Sequence, residues 1–313
     1  MKARYILIIA TGSILLSSCG EREGQLLISK ELPHYPSGSG LAYFRDHIYL
    51  MGDDAPYLLV LDTGLNPIDS ISLFPGKGRI PKEEKNDPES LALLNPDNDP
   101  ALLVLGSGSL PPNRDSCLVI YLDTKKERRY SLDTFYRRIR ATGITDLNVE
   151  GATAIPGRIC LSTRGHLNFR KNLLLITSRN FWENQQDADI RVVKAGYNAD
   201  STSFSGVSGL DYAAGTDELF LTVSTEKTTN AYDDGDIGKS FLWIIRDFSS
   251  KRRLVAMNPD RVIDLEEIDP RFAGHKIESV SVIRHTREHK VLVLVADDDR
   301  GGTVLFKLMI SSR

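Results

Sequence analysis

The run Asn148-Val149-Glu150-Gly151-Ala152-Thr153-Ala154-Ile155 places a carboxylate and a small residue directly before an apolar, β-prone stretch. A single such entrance would be an ordinary solvated strand end. The device recurs, however, as Ser39-Gly40-Leu41, Glu89-Ser90-Leu91, Ser208-Gly209-Leu210 and Glu278-Ser279-Val280. The first residues of the five entrances fall at 39, 89, 150, 208 and 278, spacings of 50, 61, 58 and 70. Each entrance is followed by a second strand and then a polar cluster: Gly52-Asp53-Asp54, Gly106-Ser107-Gly108-Ser109, Ser162-Thr163-Arg164-Gly165, Ser224-Thr225-Glu226 and Asp297-Asp298-Asp299. A third strand follows every cluster. Repeats of this length built from short strands mark a radial architecture, and units of about four strands are propeller blades.

Five units predict an all-β, five-bladed β-propeller. Strand signals dominate the chain, as in "YLLVLD", "ALLVLG", "NLLLIT", "ELFLTV" and "VLVLVA", each bounded by turn-forming residues. The last unit supplies about three strands, so the spare strand Gln25 to Leu32 is expected to complete it and close the ring, removing the edges a linear array would expose. Helical periodicity is scarce, and its best case is Ser131–Arg140, where Leu132, Phe135, Tyr136 and Ile139 share one face behind a Ser cap. Its basic neighbours read as a solvated face.

In a propeller the first strand of each blade lines the central channel, and its entrance shares a face with the loop after the second strand. Ser39, Glu89, Glu150, Ser208 and Glu278 are therefore expected to converge on one axis, with the small neighbour of each letting the strands crowd. Three carboxylates around one axis repel strongly at neutral pH. Either at least one is protonated or a cation sits among them; carboxylate and hydroxyl oxygens suit a hard ion such as Ca²⁺. A channel holding only water is the alternative.

The chain opens with Lys2 and Arg4, an apolar run from Tyr5 to Leu16, and Leu16-Ser17-Ser18-Cys19. This pattern is that of a secretory signal, too short to span a bilayer. Its ending resembles a bacterial lipobox, which implies cleavage before Cys19 and lipidation of that residue. Residues 1–18 are then a signal peptide, 19–24 a lipidated Cys and polar tether, and 25–313 one propeller domain. With Gly at position 20, the outer membrane is the expected destination, and the protein is expected to be a monomer there. Removing residues 1–18 takes Lys2 and Arg4 away and shifts the net charge from −3 to −5, which argues against nucleic acid as a partner. Cys117 and Cys160 lie in apolar runs and read as small buried hydrophobes rather than a disulfide.

Two other motifs carry little. His285-Thr286-Arg287-Glu288-His289 spells a zinc signature, but that chemistry needs a helix, and here the string joins two strands. Asn95-Pro96-Asp97-Asn98-Asp99 begins like a calcium loop but has Pro100 where Gly is required. On the upper face, Arg114, Arg164 and Arg300 are planar donors for phosphate or carboxylate. Asp53, Arg164 and Glu226 are the candidate catalytic residues, the two acids as holders of a cation or activators of water. Asp54, Arg114, Asp297, Asp298 and Asp299 are candidate ligand-binding residues.

The pattern Ser-Glu-Glu-Ser-Glu, one residue per blade, resembles the axial calcium site of the calcium-activated nucleotidases (apyrases). "SGLAYFRDHIYLMGDD" looks like that family's first blade and "FSGVSGLDYAAGTDELFLTVSTEKT" like its fourth. The resemblance implies Ca²⁺ on the five entrance residues and a nucleotide facing Asp53, Asp54, Arg164 and Glu226. "GSGSLPPNRD" and "TTNAYDDGDIG" depart from it, and "GSGSLPPNRD", "STEKTTNAYDDG" and "VADDDRGGTVLFKL" more closely resemble exported bacterial propellers loosely akin to phytase-like esterases and lactonases. Two functions stay open: a metal-dependent hydrolase of a small anionic molecule, or a non-catalytic propeller binding a ligand or envelope partner.

Overall fold

The computed structural model describes residues 23–76, 79–80, 85–95, 98–196, 204–226, 237–297 and 302–313. Strand β1 (Gly24–Leu32) precedes the first blade, which comprises β2 (Gly38–Phe44), β3 (His47–Gly52), β4 (Tyr57–Leu61) and β5 (Pro67–Ser72). The second blade holds β6 (Pro88–Leu94), β7 (Ala101–Gly106), β8 (Ser116–Tyr121) and β9 (Glu127–Ser131), and helix α1 (Asp133–Ala141) follows. In the third come β10 (Val149–Ile155), β11 (Arg158–Thr163), β12 (Asn172–Ser178) and β13 (Ile190–Ala195). Blade four contains β14 (Phe204–Ala213), β15 (Glu218–Glu226) and β16 (Ile237–Ile245), then β17 (Ala256–Met257) and β18 (Arg261–Asp264). The fifth is β19 (Lys276–His285), β20 (His289–Asp297) and β21 (Thr303–Ser311).

All sheets are antiparallel meanders except where β17 leaves blade four and adds to β13 as a parallel fifth strand. Strand β1 pairs with β21 from Gly24 opposite Ile310 to Leu32 opposite Thr303, so the ring closes through the N-terminal strand as predicted. The inner strands touch in the cyclic order β2, β6, β10, β14, β19 and back to β2. That closed circuit defines a five-bladed propeller.

The core is divided among the blade interfaces. Leu91, Leu102 and Leu118 of blade two pack against Ala42, Met51 and Leu58 of blade one. Equivalent apolar layers join each remaining neighbouring pair. A fully buried Leu, Ile or Phe in such a layer contributes about 1.5–3 kcal/mol relative to exposure. The small residues beside the entrances act at these seams. A Cβ on Gly209 would lie 2.4 Å from Glu278 O, and one on Gly151 3.0 Å from Leu210 N, in each case the backbone of the next inner strand.

Helix α1 fills the seam between blades two and three with Phe135, Tyr136 and Ile139. It starts later than predicted because Ser131 still pairs with Ser116 as the end of β9. The Ser131 hydroxyl accepts from Asp133 N at 3.3 Å. The His285–His289 string is a β-hairpin turn closed by Thr286 N donating to His289 O, at the opposite end of the strands from the entrances. Cys117 and Cys160 are buried free thiols. Among the described residues no helix is long and apolar enough to cross a membrane. Cys19 and the signal segment lie outside the described residues.

Candidate functional site at the channel mouth

Each of the five entrance residues is the extra residue of a β-bulge. Pairing of the first and second strands jumps from Gly38 to Gly40, Pro88 to Ser90, Val149 to Gly151, Val207 to Gly209 and Ile277 to Ser279. The skipped residues are Ser39, Glu89, Glu150, Ser208 and Glu278. A bulge bends the strand and re-aims a side chain out of the ladder, which explains why an acid can sit inside an otherwise apolar run.

A second tier lies two residues upstream, at Ser37, Asp87, Asn148, Gly206 and Lys276, and two of its members, Asn148 and Lys276, bind acids of the first. Asn148 Nδ2 donates to Glu150 at 2.5 Å, and Lys276 Nζ lies 2.9 Å from the Glu278 carboxylate. Arg164 Nη1 is 3.6 Å from Glu150. Gly206 makes room for it: a Cβ there would come within 2.8 Å of Arg164 Nε. The loops after the second strands are tied to the same tier, with Asp53 N donating to Ser37 O, Ser107 N to Asp87 O and Arg164 N to Asn148 O. Asp53, Ser107 and Arg164 are thus equivalent positions of successive blades.

Among the described residues, a group of three acids gathers between blades one and two. Ligand atoms of Asp53, Asp87 and Glu89 all lie within 4.8 Å of one another, an arrangement able to hold a metal ion. Asp87 Oδ2 is fixed by Arg114 Nη1 at 2.6 Å and by the Ser107 hydroxyl. Lys85 enters the group from the side, with Nζ against Asp53 Oδ2 and 2.9 Å from Asp87 Oδ1. Asp53 Oδ1 is buried without a hydrogen-bond partner. Burial, with the negative fields of Asp87, Asp53 and Glu150, pushes the Glu89 carboxyl well above its ordinary range, and Lys85 offsets only part of this. Burial likewise raises Asp53 against the pull of Lys85. Burial works against the Lys85 charge, but Asp53, Asp87 and Glu89 outweigh it and hold the ammonium above its usual value.

Several expectations change here. Ser39 Oγ donates to Pro88 O (3.2 Å), and Ser208 Oγ lies in reach of Ile277 O and Thr222 Oγ1 (3.1 Å), so both hydroxyls face the neighbouring strand's backbone. Arg114 is not a rim donor but a buried strut behind Asp87, also bonded to Ser109 Oγ at 2.7 Å. Arg164 is not solvated: its side chain is only 10% exposed, because Glu150 draws it over Gly206. Asp54 is buried beneath the Arg79 guanidinium. Asp297 ends β20 beside Lys276 in the register. Glu226 ends β15 opposite Phe204; its side chain, with Asp298, Asp299 and Arg300, lies outside what the structure describes. Lys85, Asp87, Asn148 and Lys276 escaped the sequence reading. Continuing the alignment of the five entrances two residues upstream would have exposed all but Lys85.

A closed ring of five blades defines an all-β propeller, with charged side chains gathered at one end of its inner strands. The chain matches the model of the Family of unknown function (DUF6929) over residues 34–310 and belongs to that family. No curated protein matches it in sequence. Among solved structures it is similar to the glutaminyl cyclase of Myxococcus xanthus, at 11% identity and a TM-score of 0.53, covering 93% of this chain and 97% of that one. A calcium-binding regucalcin from Agrobacterium tumefaciens shares 10% identity (TM-score 0.40; 90% and 93% covered). A protein of unknown function from Dyadobacter fermentans shares 11% (TM-score 0.43; 92% and 99% covered). At 11% identity the likeness to the cyclase speaks to the fold alone.

Proposed function

We propose that this chain is an exported, lipid-anchored propeller that binds a small anionic molecule at the mouth of its channel with the help of a divalent cation. The observation that carries this reading is the convergence of Asp53, Asp87 and Glu89. Three carboxylates with a buried, unpartnered oxygen on Asp53 are a hard oxygen donor set of the kind Ca²⁺ takes. The ion belongs off the axis, between blades one and two, rather than among all five entrance residues. When bound, it supplies positive charge to an anionic group. Arg164, held at the mouth by Glu150, supplies a second positive contact.

If the site is hydrolytic, Asp53 or Glu226 orients a water and takes its proton as the water attacks phosphorus and the leaving-group bond breaks. Arg164 then neutralises the phosphoryl oxygens. One observation favours binding without turnover: among the described residues, Lys85, Arg114, Arg164 and Lys276 are all engaged with acids of the site itself, so these four charges are not preorganised for a transition state.

The test is calcium calorimetry on the mature protein, followed by a divalent-dependent panel of nucleotides, sugar phosphates and lactones. Calcium binding is expected, and it should be lost in Asp87→Asn. Turnover that falls on the order of 10²-fold in Arg164→Ala would support hydrolysis. Binding with no turnover anywhere in the panel would leave the binding reading. Absence of any calcium binding would remove the cation from the proposal.

A further inference from the structure

We infer that Lys85 is a tethered competitor for the cation position, so that a divalent ion enters the Asp53–Asp87–Glu89 group only by expelling the chain's own ammonium. The inference rests on the cation reading above and concerns how that site is regulated. The oxygens that Lys85 Nζ engages, Asp53 Oδ2 and Asp87 Oδ1, belong to the carboxylates whose ligand atoms converge with Glu89. A Ca²⁺ ion bonds carboxylate oxygens at about 2.3–2.6 Å. An ammonium left at hydrogen-bonding distance from those oxygens would face a double positive charge a few ångströms away. The two cannot share the pocket.

The surroundings fit exchange rather than coexistence. Asp87 cannot swing to follow Lys85, because Arg114 and Ser107 hold its other oxygen. Lys85 is the movable member: its charge sits on a flexible four-carbon stem. One ammonium also under-supplies the group, since Asp53 Oδ1 receives no hydrogen bond. Once expelled, Lys85 carries its proton with it and stands at the mouth as a positive contact for an anionic ligand. Cation entry and anion capture are therefore coupled through one side chain.

The experiment compares calcium affinity by calorimetry in the wild-type mature protein and in Lys85→Met. Removing the competitor is expected to tighten calcium binding by about 10- to 100-fold, the scale of one charge-assisted contact that no longer has to be broken. Calcium bound by Lys85→Met but not by wild type would uphold the competitor and overturn the cation reading for the native protein. Equal or weaker binding in Lys85→Met would overturn the competitor and leave the cation reading standing. No binding in either protein would overturn both.

A measurement on the unaltered chain guards against a variant that fails to fold. The rate of Lys85 acetylation, read by mass spectrometry of its peptide, should rise several-fold when calcium is added. A rate that is unchanged or falls while calcium binds would overturn the competitor.

Discussion

Arg164 and Glu150 stand 3.6 Å apart at the mouth, and the consequences of that contact run against a simple surface reading of Arg164. A loop arginine in water can be truncated at little cost. This one shields a buried carboxylate whose other contacts include Asn148, so Arg164→Ala should lower unfolding stability by about 2–3 kcal/mol, measurable in urea. A change within a few tenths would mean that Glu150 is held by other groups. At the far end of the channel, Asp211 accepts from Val282 N and Tyr212 N, both at 2.8 Å, and from Thr153 Oγ1. Burial nevertheless raises its pKa above 3.8. The folded chain therefore binds more protons there than the unfolded chain, and the stability Asp211 contributes falls as pH climbs from about 3.8 through its folded pKa. With Asp211→Asn as reference, the wild-type advantage in melting temperature should shrink as pH rises across that window. An advantage that grows with pH would show that the hydrogen bonds outweigh burial.

At the scale of strands, the closing element is where the fold is most exposed to damage. Strand β1 pairs on one side only, with β21, and after Leu26 its residues alternate between exposed and half-buried. Leu26 is its one fully inward apolar residue, packed in the seam between blades four and five. Leu26→Ala should cost about 2–4 kcal/mol, and because β1 closes the ring, urea unfolding should stay a single transition. A separate early loss of β1 would show that the other strands hold the ring without it. The strands and their fivefold register were legible because period-two patterning and turn residues are local signals. The bulges were not: an extra residue shows only against its partner strand, although Glu150 in an apolar run was its trace. Lys85 was illegible for another reason, since it lies before β6 with no periodic neighbour and is positioned by Asp53 of another blade. Strand β17 was missed likewise, because its pairing with β13 crosses a blade boundary that no local pattern encodes.

At the scale of the whole molecule, the direction of β1 orients the site. Leu32 pairs with Thr303 at the mouth end and Gly24 with Ile310 at the opposite end, beside the hairpin turn that carries Glu288. If Cys19 is lipidated, residues 19–23 form a tether reaching at most about 18 Å, which keeps the end opposite the mouth against the bilayer. Strands of nine residues such as β20 and β21 then lift the mouth roughly 30 Å higher, so Asp53, Glu89 and Arg164 face away from the membrane. The expectation can be read with single fluorescent labels on lipidated protein in vesicles carrying an acceptor dye on their headgroups. Glu288→Cys and Leu110→Cys place labels on exposed residues at the two ends, and the buried Cys117 and Cys160 should not compete for the dye. Transfer should be strong from position 288 and weak from 110. The reverse order would mean that the mouth faces the bilayer, and a ligand presented by the membrane would then replace a soluble one. Equal transfer, or protein that stays in the membrane fraction after Cys19→Ala, would mean that the tether does not fix the orientation.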